Sequence, residues 1–290
     1  MKKLLITGAS GFLGWNTCRA AQSQWDVYGT YQSHETDMPG GTLLKIDLTD
    51  YQSLRSLFDE LAPDAVIHTA AQAQPHICQE NPDATYTINV TVPWNIAGLC
   101  ADAEIPCVFT STDFVFDGLN PPYLETTPIS PINHYGEQKV AAEIGMLKRY
   151  PATAVCRMPL MFGFAETAPS FLQGFVKLLR SGSDLKLFTD EVRTPVSGRD
   201  AAQGLLIALD DAQGILHLGG KERLSRYQFG TLMVEALDLD DVVINGCCQS
   251  DIASTISRPL DVSLDSTKAY ALGYAPNSVL EELRALKEKV

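Results

Sequence analysis

Lys3-Leu4-Leu5-Ile6-Thr7-Gly8-Ala9-Ser10-Gly11-Phe12-Leu13-Gly14 decides how the rest of the chain is read. An apolar run of strand length meets a loop with glycines at 8, 11 and 14, and a helical pattern follows. Each glycine has a physical task in such a loop. The first permits a tight turn, the second lets backbone approach a pyrophosphate, and the third lets helix and strand pack closely. The N–H groups at the start of that helix then face the phosphates. Glycine triplets also occur in plain strand-to-helix turns; the strand before this one and the helix after it favour a dinucleotide site. Thr7-Gly8 ends the apolar run well short of the roughly 7–15 residues of a signal-peptide core, so a buried first strand is expected.

Working outward, further short apolar runs at 27–31, 43–46, 65–69, 107–110 and 153–157 alternate with helical patterns. Leu54, Leu57, Phe58 and Leu61 repeat as one buried helix face. Asn81-Pro82 predicts a helix start with an asparagine N-cap, and a helix from 135 to 150 is stopped by Pro151. This alternation marks βαβ units around a parallel sheet. Beyond residue 158 the rhythm loosens. Helices are expected at 170–180, 200–209, 226–237 and 278–289, the third opened by a Ser225/Gln228 capping box, with strands at 185–188 and 215–218. The predicted fold is α/β, a Rossmann-type doubly wound parallel sheet with a smaller C-terminal α/β lobe. Residues 1–158 form the dinucleotide-binding domain, a segment near 194–218 returns to it, and 159–193 with 219–290 form the substrate-binding lobe.

Hydrophobic residues make up 45% of the 290 and charged residues 20%, ordinary for a globular protein able to bury a full core. The net charge of −13 argues against nucleic acid or an anionic membrane as partner, while a local basic site for one small anion stays compatible. No segment approaches the roughly 20 apolar residues of a membrane span. Seven scattered cysteines without a C-x-x-C pair predict buried free thiols and a cytoplasmic location.

Tyr135 and Lys139 stand at i and i+4, on one helix face. Carbonyl reduction needs a proton donor beside the incoming hydride. A free tyrosine titrates at about 10, and bringing it to about 7 requires roughly 4 kcal/mol of differential stabilisation. A neighbouring Lys⁺ acts in that direction. Ser111-Thr112-Asp113 closes the fifth strand upstream.

The glycine spacing with its preceding threonine resembles the short-chain dehydrogenase/reductase family, and further matches fall in chain order. The resemblance implies that Thr112, Tyr135 and Lys139 are catalytic, with Thr112 hydrogen-bonding the substrate carbonyl and Lys139 also holding a ribose. It implies cofactor contacts at Gly8, Ser10, Gly11, Phe12, Leu13 and Gly14. Asp47-Leu48 matches the adenine contact, His68-Thr69-Ala70-Ala71 the family's H-x-A-A (cofactor contact at Ala70 and Ala71), and Asn89 an asparagine with a relay or structural role; Asn89, Tyr135 and Lys139 are counted among the implied cofactor contacts. After the second strand there is no acid before Glu35 and no arginine, which favours NADP(H) over the alternative, NAD(H).

Ser111-Thr112-Asp113-Phe114-Val115-Phe116-Asp117-Gly118, then Pro122-Tyr123, Glu125, Arg258-Pro259, Ser263-Leu264 and Lys268, resembles the dTDP-4-dehydrorhamnose reductase branch of the extended family. That implies a reductase of a 4-keto deoxy nucleotide sugar. Thr112, Asp113 and Phe114 would meet the substrate, and Arg193 and Arg258 its diphosphate, where bidentate arginine is suited; the alternative for each arginine is an ion pair. The branch has Trp-Glu where this chain has Trp15-Asn16, so no metal is expected. Residues 157–163 lack the branch's tryptophan and resemble instead the regulatory β subunit of methionine adenosyltransferase. A nucleotide-sugar 4-epimerase and a non-catalytic cofactor-binding subunit are therefore the alternatives, and a homodimer is compatible with each.

Overall fold

The computed structural model describes residues 1–35, 37–166, 168–254 and 256–290. The first half reads β1 (Lys3–Thr7), α1 (Phe12–Ala21), β2 (Asp26–Tyr31), β3 (Thr42–Lys45), α2 (Tyr51–Leu61) and β4 (Ala65–His68). There follow α3 (Pro75–Glu80), α4 (Pro82–Tyr86), a π-helical turn (Thr87–Thr91) running into α5 (Val92–Asp102), β5 (Cys107–Thr112), α6 (His134–Arg149) and β6 (Ala154–Met158). The second half adds β7 (Met161–Phe162), α7 (Phe171–Arg180), β8 (Leu185–Phe188), β9 (Val192–Arg193), β10 (Val196–Ser197) and α8 (Gly198–Asp211). It ends with β11 (Gly214–His217), β12 (Leu224–Ser225), α9 (Arg226–Ala236), β13 (Ile244–Cys247), α10 (Thr267–Ala271) and α11 (Val279–Ala285).

Seven strands form one sheet in the order β11-β6-β5-β4-β1-β2-β3, and every pairing in it is parallel. Parallel strands need helical crossovers, which cover both faces. Alternation along β1 shows this directly. Leu4 and Ile6 join the core under α1 and α8, while Leu5 joins the opposite core of α2, α5 and α6. The chain runs from β1 outward to β3, then crosses back to β4 and runs the other way. The crevice beyond Thr7 and His68, paired neighbours of β1 and β4, is thus the topological switch point, where open α/β sheets bind ligands. A separate core around Phe162, Leu172, Leu187, Phe229, Met233 and Leu283 holds the α7–α9–α11 lobe together.

Ser225 and Gln228 form the reciprocal capping box expected of them. Other local expectations need correction. Asn81 stands at the N-cap of α4 with Pro82 after it, but its side chain makes no capping bond. α11 ends at Ala285, not 289, because Lys287, Glu288 and Lys289 add nothing to its buried Val279–Leu283 face. Six cysteines are buried and free as expected, whereas Cys248 is exposed. Among the described residues no helix is long and apolar enough to cross a membrane.

Candidate active site

Gly8 turns the chain at φ +72°, and a Cβ there would lie 2.8 Å from the Cα of Ala70. At Gly14 a Cβ would stand 2.1 Å from the Gly8 carbonyl oxygen, so α1 can start this close to β1 only with glycine there. Gly11 N donates to Gly8 O at 2.9 Å, closing the loop. Phe12, Leu13 and Gly14 form the first turn of α1, where backbone N–H groups have no intrahelical acceptor. That cradle fits a dinucleotide pyrophosphate.

The facing wall is fastened by Thr7. Its Oγ1 accepts from Thr69 N (3.2 Å) and Ala70 N (3.3 Å), leaving its one proton for His68 Nδ1 at 2.6 Å. This assigns the Nε2–H tautomer to His68. Burial, then the Lys139 charge, pushes His68 down to about 3, so it is neutral and structural, stacked on Phe109.

Gly8, Ser10, Gly11, Leu48, Ala70 and Ala71 line a cavity of about 230 Å³ together with residues 30–33. Asp47 is not in its wall; the carboxylate turns aside to accept from Thr49 N (2.9 Å) and Thr49 Oγ1 (2.7 Å). Glu35 hydrogen-bonds the Tyr31 hydroxyl, so the first acid after β2 is engaged there.

Thr112, Asp113, Phe114, Tyr135, Arg193 and Arg258 line a second cavity, of about 360 Å³. The sequence places them far apart; the carboxyl end of β5, the start of α6 and the lobe bring them together. Asn133 caps α6, accepting from Gly136 N at 2.9 Å, and so fixes where Tyr135 enters. Burial pushes the Tyr135 phenol well above its usual value, opposed by a hydrogen bond with Thr112 and reinforced by the nearby Asp113 and Cys78. The phenol is therefore protonated, as a proton donor must be. The direct lowering of Tyr135 by Lys139 expected from their spacing is not what the geometry gives. Lys139 Nζ donates to Thr110 O at 2.8 Å and sits 4.5 Å over the Phe109 ring, because a buried ammonium must find an acceptor. Burial brings Lys139 down to about 8, against the pull of Glu143 and Cys78.

The lobe side of this cavity carries buried charge. Arg193, 2% exposed, has Nε 3.6 Å from Asp113 Oδ2 and Nη2 3.5 Å from Glu191 Oε1, with its guanidinium 4.6 Å over Phe114. Arg226 Nε donates to Glu191 Oε1 at 3.0 Å. Burial raises Asp113 to about 6 even though Arg193 and the Thr112 hydroxyl oppose it. Arg193 thus makes the ion pairs of its alternative reading while still facing the cavity. Arg258, half-buried, donates to Ser254 Oγ at 3.2 Å.

Asn89 stands apart from both cavity walls. The π-helical turn aims it inward, where Oδ1 accepts from Gln72 N (2.8 Å) and Nδ2 donates to Gln72 O (3.1 Å) and Gln138 Oε1 (2.7 Å). It ties the loop after β4 to α6, a structural role. Sequence reasoning missed Glu191, Arg226 and His76, all in the cavity wall. Glu191 was findable from Arg193, since opposite charges two apart in an extended segment share a face. Arg226 and His76 gave no such signal.

A family model described as the RmlD substrate binding domain matches residues 1–289. A probable low-salt glycan biosynthesis reductase of Haloferax volcanii is 31% identical over 97% of this chain and 96% of its own length. Methionine adenosyltransferase 2 subunit beta of Xenopus laevis is 28% identical over 94% of this chain and 83% of its own. The crystal structure of a dTDP-4-dehydrorhamnose reductase from Clostridium acetobutylicum superposes with TM-score 0.86 at 26% identity, covering 98% of this chain and 97% of that one. With a parallel seven-stranded Rossmann sheet, a glycine cradle at its switch point and a match along its whole length, the chain belongs to the RmlD substrate binding domain family of extended short-chain dehydrogenases/reductases.

Proposed function

We propose that this protein is an NADP(H)-dependent reductase of a 4-keto deoxy nucleotide sugar. The observation that carries the reading is the convergence of Thr112 and Tyr135 on one cavity, with Lys139 one helical turn from Tyr135 and the glycine cradle at the same edge of the sheet. The reductase names of the Haloferax and Clostridium relatives support it. The absence of an acidic wall at 30–33 supports NADP(H).

When bound, the nicotinamide supplies a hydride to the keto carbon. Thr112 Oγ1 donates to the carbonyl oxygen and holds it beside the phenol. Tyr135 transfers its proton to that oxygen as negative charge develops, giving the alcohol. Lys139 anchors the cofactor ribose and places positive charge under the site as the phenolate forms. Arg193 and Arg258 hold the substrate's diphosphate.

The test is a panel of 4-keto nucleotide sugars followed by NADPH and by NADH oxidation, with Tyr135→Phe alongside. General acid catalysis is worth about 10²–10⁴-fold, and Tyr135→Phe should lower kcat by that amount with cofactor binding intact. Near-normal turnover in the variant refutes the mechanism, and tenfold tighter NADH binding refutes the cofactor preference. The 28% identity to a methionine adenosyltransferase subunit favours one second reading, a cofactor-binding regulatory subunit. Copurification with a partner enzyme and no turnover on any nucleotide sugar would select it.

A further inference from the structure

Beneath the cavity lies a buried ionic network. Glu143, one turn beyond Lys139 on α6, is 2% exposed. Its Oε1 accepts from Ser111 Oγ at 2.5 Å and from Arg157 Nε at 3.0 Å; its Oε2 accepts from Arg157 Nη2 at 2.8 Å. Arg157 Nη1 donates to His217 Nε2 at 3.4 Å, which leaves His217 Nδ1–H to donate to Asp265 O at 3.2 Å.

The network sits in register with the catalytic groups. Tyr135, Lys139 and Glu143 form an i, i+4, i+8 stripe on α6, and each meets β5 or its end. Tyr135 bonds Thr112, Lys139 bonds Thr110 O, and Glu143 bonds Ser111. Two fastenings one turn apart fix both the rotation of α6 and its height against the strand. Arg157 supplies the fork that pairs both oxygens of the buried carboxylate.

We propose that Glu143, clamped by Arg157 and Ser111, is a positioning residue that holds α6 in register on β5 and supplies the buried negative charge answering the Lys139 ammonium. The inference rests on the reductase reading for its catalytic consequence, but not for the charge interaction itself. Among the described residues, the groups that bond or act on Lys139 are Glu143 from its own helix, Cys78 from α3, His68 from β4, and the Thr110 carbonyl and Phe109 ring from β5. His68 is neutral and Cys78 is held protonated by burial, so Glu143 is the one carboxylate among them.

The experiment follows the Lys139 titration by ¹³C NMR of lysine-labelled full-length protein, assigned with Lys139→Met, in the parent and in Glu143→Gln. A nearby opposing charge shifts a titration by about one pH unit or more, so the Lys139 midpoint should fall by about tenfold in proton affinity. Glu143→Asp should restore most of it. Where turnover is measurable, the pH profile of kcat should move the same way, with KM for the sugar little changed. An unmoved Lys139 midpoint in folded Glu143→Gln overturns the proposal, whatever the activity. If that variant fails to fold, Glu143→Gln/Arg157→Gln removes both charges. Its midpoint should fall in the same direction by less, and no fall overturns the proposal equally. A parent without turnover on any nucleotide sugar fails the reductase reading alone.

Discussion

Two clusters of buried charge meet at the end of β5, and they differ in whether their hydrogen bonds are complete. In the Ser111–Glu143–Arg157–His217 network every buried polar side-chain atom has a partner among the described residues. In the Asp113–Arg193–Glu191–Arg226 cluster, Asp113 Oδ2, Arg193 Nη1 and Nη2, and Arg226 Nη1 have no hydrogen-bond partner among those residues, and the Arg193 contacts are 3.5–3.6 Å, beyond hydrogen-bond length. Unpaired buried donors cost about 1–3 kcal/mol each. Burial of charge alone therefore does not mark a site. The closed network has nothing left to offer a ligand, whereas the open one, in the cavity wall, has donors and an acceptor to offer. That is why the first is assigned to positioning and the second to the substrate.

Breaking the closed network should have the largest effect on stability. Arg157→Met strands Glu143 in the interior, and removing one partner of a buried pair costs about 3–5 kcal/mol. Urea denaturation at neutral pH measures it; a loss below about 1 kcal/mol would erase the contrast drawn above. Arg193→Met should cost less, roughly 1–2 kcal/mol, because Glu191 keeps Arg226 and Asp113 already tends to take up a proton. The same variant should weaken nucleotide-sugar binding by roughly 1.5–3 kcal/mol, as for a charged hydrogen bond. Equal stability losses in the two variants, with binding untouched in the second, would place both clusters in one structural class.

The sequence disclosed these regions unequally. The cradle was readable because each glycine there answers a local demand, a positive φ at Gly8 and a backbone contact at Gly14. The i, i+4 spacing of Tyr135 and Lys139 was readable for the same reason, being set within one helix. What Lys139 bonds was not readable, since the Thr110 carbonyl comes from a strand that only the sheet brings near. The sequence left Asp47 undecided, because an aspartate past a strand end serves equally as a turn-former, and here its Oδ1 accepts from Thr49. Nothing in the sequence singled out Glu143 or Arg157. Their pairing joins α6 to β6, and no local pattern encodes that.

The two clusters also predict pH dependences of opposite sign, since burial pushes His217 of the closed one down to about 3, which favours the folded state as pH rises. Asp113 is raised from 3.8 to about 6 in the folded protein, chiefly by burial. The folded state thus holds this proton more tightly than the unfolded chain. Its contribution to stability is full below the unfolded value and is lost as pH rises through the folded one. Because His68 and His217 act in the opposite sense over the same range, the Asp113 contribution is read as a difference: relative to Asp113→Asn, the parent should lose on the order of 1–3 kcal/mol between about pH 4 and 6. Identical slopes in parent and variant would mean that Asp113 is ionised throughout, and its cluster as well satisfied as the other.

Arg258 tests the outer limit of the open cluster and carries the smallest expected effect. It belongs to the same cavity wall and helps hold Glu191 in its ionised form, yet it is only half-buried, bonded to Ser254 and 5.9 Å over the Phe188 ring. Water competes for a guanidinium in that position, and salt screens it. Arg258→Ala should therefore weaken nucleotide-sugar binding by about 1 kcal/mol or less, with the change in the association rate and diminishing as ionic strength rises. Stability should stay within about 0.5 kcal/mol of the parent. A binding loss as large as that of Arg193→Met, insensitive to salt, would move Arg258 from the rim to the interior of the bound complex. The lobe would then have to close on its ligand, because Arg258 can lose its water only if its neighbours on the β8 side come inward.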